Sequence, residues 1–135
     1  MAEAADWLRV RGIGRERFVG YLADYLSSIG FTVEKVETAE PAATLITGSL
    51  VRMNPAVPDG LRTVHFRVAP TSGGAAIYWE SPSTMPPPEL ARADRFSREL
   101  ETHLGRAVST ESHGTAKVVR SPVAHLPWAP EAHAR

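Results

Sequence analysis

The residues best suited to chemistry sit in short clusters. His65 and Arg67 flank one position, and Tyr78 and Glu80 flank another. In extended chain, this spacing sends both members of each pair to one side. An imidazole, a guanidinium, a phenol and a carboxylate would then share a surface suited to an anionic or heteroaromatic ligand. If strand register joins His65 to Glu80, the two form a general acid–base pair, which supports an enzymatic alternative. The plainer expectation is a solvated antiparallel face with ordinary cross-strand pairs.

A second cluster places Arg9, Arg11, Arg15 and Arg17 around Gly12-Ile13-Gly14. Backbone amides of such a turn can face a phosphate, and a following helix N-terminus favours negative charge. Between Leu8 and Leu22 the string resembles the hairpin of helix-hairpin-helix DNA-binding motifs, with Gly12 to Gly14 in the turn and Leu22 on the second helix. The resemblance implies nucleic-acid binding through Arg9, Arg11, Gly12, Gly14, Arg15 and Arg17. The chain departs from that pattern at Phe18, where a small residue normally lets the helices approach, and only Ala4 to Val10 remain for the first helix.

Glu99 and His103 have the spacing to share one side of a helix and hold an ion, but a third ligand is not specified. His113 is separated from them, and His125 and His133 lie near the end, without a recognised zinc spacing. No metal is expected. No nucleophile elbow, zinc-protease helix, phosphate-binding Walker loop or dinucleotide fingerprint occurs, so no cofactor is expected either. Leu126-Pro127-Trp128-Ala129-Pro130 holds a large aromatic between prolines. Leu126 and Trp128 can dock in another protein's groove or fold back on their own domain.

Composition limits the wider possibilities. The 135 residues include 43% hydrophobic side chains, enough for one core, and equal numbers of basic and acidic residues, 15 of each. No global field draws the chain to nucleic acid, an anionic membrane or an acidic partner, so any electrostatic recognition must be local. The absence of cysteine excludes disulfides, thiolate metal sites and thiol nucleophiles. The opening Met1-Ala2-Glu3-Ala4-Ala5-Asp6 lacks the basic end and apolar stretch of a secretory signal, and no run is long and apolar enough to span a bilayer. The expectation is a cytoplasmic protein without membrane contact.

These side chains must be positioned by the surrounding elements. Phe18, Leu22, Tyr25, Leu26 and Ile29 recur at helical spacing over residues 14–29, and Gly30 supplies a stop. Alternation predicts a strand from Phe31, ended by Ala39-Glu40-Pro41. A second runs from Ala43 to Met53, with Ile46, Leu50 and Val51 toward the core and Gly48 at a bulge. Leu61 to Ala69 and Ala75 to Ser81 read as a hairpin through Thr71-Ser72-Gly73-Gly74. Pro82 and the Pro86-Pro87-Pro88 run stop it, and Ala93, Phe96, Leu100 and Leu104 mark a second helix ending at Gly105, with Asp94–Arg98 and Arg95–Glu99 charge pairs. Lys117 to Ser121 is a candidate edge strand.

The expected fold is α+β: a two-layer α/β sandwich in the order α-β-β-β-β-α, with a mainly antiparallel meander covered on one face by two helices. Residues 1–13 form an N-terminal arm, 14–121 a single domain and 122–135 a flexible tail rich in proline and alanine. The functional expectation is a non-enzymatic binding or assembly module. It contacts a protein partner, or a second copy of itself, through the open sheet face, a sheet edge or the tail. The alternatives are nucleic-acid binding at the arginine-rich turn and a small enzyme using His65 and Glu80.

Overall fold

The computed structural model describes residues 5–40, 42–81 and 85–128. In chain order its elements are β1 (Leu8–Arg11), α1 (Arg15–Ser28), β2 (Phe31–Ala39), β3 (Ala42–Leu50), a 3-10 turn (Asp59–Leu61), β4 (Thr63–Thr71), β5 (Gly74–Trp79), α2 (Pro87–Glu111) and β6 (Lys117–Arg120). Each helix buries one stripe: Phe18, Leu22 and Leu26 on α1, and Ala93, Phe96, Leu100, Leu104 and Val108 on α2. These stripes meet the inward side chains of the sheet, among them Val64, Phe66, Val68, Ile77 and Trp79. The result is the expected two-layer α+β architecture, with one sheet face covered by both helices.

All strand pairs are antiparallel, and the spatial order is β2-β3-β4-β5-β1-β6. The segment from β2 to β5 is the predicted meander. Residues 8–11, expected in an N-terminal arm, instead form a strand inside the sheet. Leu8 stands opposite Ile77 on one side and Arg120 on the other. This strand is too short to show a decisive alternation of its own, and its structure depends on backbone partners supplied by β5 and β6. With β6, the sheet has six strands among the described residues.

The end of the described chain also differs from expectation. Of the two roles open to Leu126 and Trp128, docking in a partner or folding back, the structure shows the second: both are buried, and Trp128 meets Trp79 edge-on at 4.8 Å and 89°. Trp7 packs against the same ring at 4.9 Å, with Phe66 and Phe96 nearby. Burying aromatic area of this size outweighs the cost of ordering a segment rich in proline. Neither the Trp7 nor the Trp128 indole Nε1 finds an acceptor among the described residues, so each contributes ring burial at a cost of about 1–3 kcal/mol. Residues 129–135, the remainder of the expected tail, lie outside the described residues, as do Pro41 and Pro82.

Several local boundaries shift for identifiable reasons. β3 ends at Leu50, so Val51, expected in the core, is 74% exposed. Gly48 pairs with Val33 and Val64 in continuous register, without the expected bulge. α2 continues past Gly105 because Leu104 and Val108 on either side are both fully buried; the glycine costs about 1 kcal/mol, and their packing offsets it. Asp94 and Arg98 form the expected i,i+4 pair at 3.1 Å. None of the described helices is long and apolar enough to cross a membrane.

Candidate functional site

Covering one side of the sheet leaves the other side open, and strand alternation determines what it presents. His65, Arg67, Tyr78 and Glu80 fall on this side, as expected, together with Thr47, and register orders them. Leu45, Arg67 and Tyr78 make one cross-strand row, which Val36 extends across β2. The guanidinium carbon of Arg67 lies 3.9 Å from the centroid of the Tyr78 ring, while its Nε donates to Glu80 Oε2 at 3.0 Å. His65 and Glu80 are opposed, with the Glu80 N–H donating to the His65 carbonyl at 2.8 Å. Their side chains nevertheless turn apart: Glu80 engages Arg67, and His65 Nδ1 lies 3.3 Å from Thr47 Oγ1.

The arginine cluster is divided between two sides of the molecule. Arg15 pairs with Glu37 at 3.5 Å and Arg17 with Glu111 at 3.0 Å, both from the helical layer. Arg9 and Arg11 instead project from β1 on the open face, because Leu8 and Val10 take the buried positions. No helix precedes the turn among the described residues, so the helix-hairpin-helix resemblance ends at the glycines. Gly12 has a structural role: its φ is +94°, and a Cβ there would lie 2.8 Å from the Ala116 Cα.

Lys117, which lies far from the arginine cluster in the sequence, completes a basic corner. It stands directly opposite Arg11 across β1 and β6, and Val119 stands opposite Arg9. Like charges placed opposite one another in a sheet are destabilising. Among the described residues, neither Arg11 nor Lys117 has an ion-pair partner. Arg9 is held in place by Asp6, whose Oδ2 accepts from Arg9 Nε at 2.7 Å and whose Oδ1 accepts from Ser121 Oγ at 2.9 Å. Burial opposes ionisation of Asp6, but hydrogen bonds from Arg9, Ser121 and its own backbone N–H outweigh that effect and hold its carboxyl below the ordinary value.

Arg9 and Arg11 form a ridge between two grooves. One, of about 310 Å³, runs toward β5 and includes Thr71, Ser72 and Tyr78. The other, of about 480 Å³, runs over β6 between Lys117, Val119 and Pro122. Val119 is 48% exposed, so an apolar patch lies among the cations. The arrangement can hold carboxylate or phosphate groups while covering a small amount of hydrocarbon.

A separate groove of about 390 Å³ between the helices contains Glu99 and His103, the pair considered for metal binding. Arg95, Arg98 and Arg106 surround them, an environment that opposes a cation. The His103 ring stacks near Tyr25, with centroids 4.1 Å apart. Burial and the nearby Glu99 carboxylate raise the Tyr25 phenol above its ordinary pKa. Among the described residues, no three acidic or histidine side chains converge as a metal site. Compared with known proteins, the chain matches no family model, no curated protein and no solved structure.

Proposed function

We propose that this chain is a non-enzymatic binding module whose open sheet face holds an acidic, partly apolar segment of a protein partner. The observation that carries the reading is the basic corner: Arg11 and Lys117 oppose each other without a carboxylate among the described residues, beside exposed Val119. A partner carboxylate would relieve the like-charge repulsion, and a neighbouring apolar side chain would cover Val119. The His65–Glu80 acid–base alternative lacks support because each side chain is engaged with another neighbour. With Leu126 and Trp128 buried, the open face and the sheet edges are the routes this reading assigns to partner contact.

The basic corner also supports a second reading, in which Arg9, Arg11 and Lys117 contact nucleic-acid phosphates. Protein is favoured because Arg67 already covers the face of Tyr78 that would stack on a base, while Arg15 and Arg17 are paired elsewhere. Selection from a random-sequence peptide library should enrich acidic peptides with the wild type but not with the Arg11→Glu/Lys117→Glu variant. Enrichment without acidic bias, or equal capture by the variant, would overturn the reading. Saturable binding of labelled oligonucleotides, weakening steeply with salt and lost in the same variant, would favour nucleic acid instead.

A further inference from the structure

The far edge of the sheet is formed by β2, on the opposite side of the sheet from β6. Its outward backbone groups follow from the hydrogen-bond phase. Leu50 N–H donates to Arg62 O at 2.9 Å, so the even-numbered residues of β3 address β4 and the odd-numbered ones address β2. Leu45 and Thr47 therefore satisfy Val36 and Glu34, leaving the backbone groups of Val33, Lys35, Glu37 and Ala39 directed away from the sheet. Such an edge is a template for another strand.

We infer that two copies of this chain associate by antiparallel pairing of β2 with β2, centred on Val36. A two-fold axis perpendicular to the sheet keeps corresponding faces together, so residue i can meet residue j only when i + j is even. Centring the pair on Glu34, Lys35 or Glu37 sets that charge against its own copy. Centring on Val33 or Thr38 shortens the match, and Val33 also brings it against the end of α1. The Val36 register sets Lys35 against Glu37 twice, Val33 against Ala39 twice, and Val36 against itself. Val36 is 56% exposed, and no described residue forms an ion pair with Lys35.

Charged side chains guard an edge against indiscriminate pairing, and here the same charges admit one self-match. On the open face, Leu45 and Val36 of one copy continue into Val36 and Leu45 of the other. Glu37 already receives Arg15 at 3.5 Å and the Thr44 hydroxyl at 2.9 Å, so its carboxylate is positioned beside the edge.

Sedimentation over low-micromolar to submillimolar concentrations should show a monomer–dimer equilibrium. Lys35→Glu and Glu37→Lys should each raise the dimer dissociation constant by about tenfold or more, because two attractive pairs become repulsive. Mixing the two variants should restore association. The first then carries a carboxylate at both positions and the second an ammonium at both, so every facing pair in the mixed dimer is again of opposite charge. The chain has no native cysteine. Val36→Cys should consequently give an intermolecular disulfide faster than Val123→Cys, whose site is 71% exposed elsewhere. Circular dichroism verifies folding of every variant. A wild type that remains monomeric, a mixture no tighter than its components, or equal crosslinking at positions 36 and 123 would overturn the inference.

Discussion

Trp79 and Tyr78 are consecutive residues that project to opposite sides of the same strand. Trp79 is 2% exposed and meets Trp7, Phe66, Phe96 and Trp128. Tyr78 keeps an exposed part and carries the Arg67 guanidinium. The covered side joins elements distant in sequence through large apolar side chains. The open side combines small residues, such as Ala76, with charges of which Arg11 and Lys117 have no ion-pair partner among the described residues. The contrast separates two uses of strand alternation: one face determines folding, and the other presents a surface.

Substitution across that divide gives the largest expected difference. Trp79→Ala removes the ring shared by the other aromatics and should lower stability by about 3–5 kcal/mol in urea denaturation. Tyr78→Ala should stay within about 1 kcal/mol in the same experiment. Similar losses at the two positions would contradict the division between covered and open faces.

Gly74→Ala tests the backbone between those faces. A Cβ at Gly74 would fall on the carbonyl oxygen of Val10 and press against β1. Movement of this interior strand should cost about 1–3 kcal/mol and also weaken partner binding, because Arg11 pairs with Gly74 in register. Unchanged thermal stability would show that β1 yields without repacking.

The smallest expected effect concerns Asp6. Its folded pKa is depressed, so the stability it contributes is present above its unfolded pKa and is lost as pH falls through the folded value. Between neutral pH and the acid side of the carboxylate range, wild type should lose more stability than Asp6→Asn. Parallel losses would separate Asp6 from the acid response. At neutral pH, Asp6→Asn should also increase the mobility of Arg9, visible in side-chain relaxation measurements.

The covered face was more legible than the open one because a core repeats its demand along every element. Phe18, Leu22 and Leu26 show a helical period, and Val64, Phe66 and Val68 alternate cleanly. β1 was missed because Leu8 and Val10 provide only two inward positions, while the bonds that make the segment a strand come from residues distant in the chain. Trp128 was ambiguous because its acceptor surface, Trp79, becomes available only in the assembled core. Arg67, Tyr78 and Glu80 could be placed on one face by alternation, but their mutual contacts required register. Lys117 gained significance only when that register set it opposite Arg11.

The position of β1 also affects the time order of folding. It precedes the helix and meander in sequence, yet its two neighbours are β5 and β6. On a ribosome, Leu8 and Val10 emerge long before Ile77 and Val118 can cover them. The meander from β2 to β5 can form through short connections, whereas closing β1 between β5 and β6 requires distant segments to meet. That closure carries a greater chain-entropy cost and slows completion of the sheet. The nascent chain therefore exposes an incomplete sheet edge until β6 arrives.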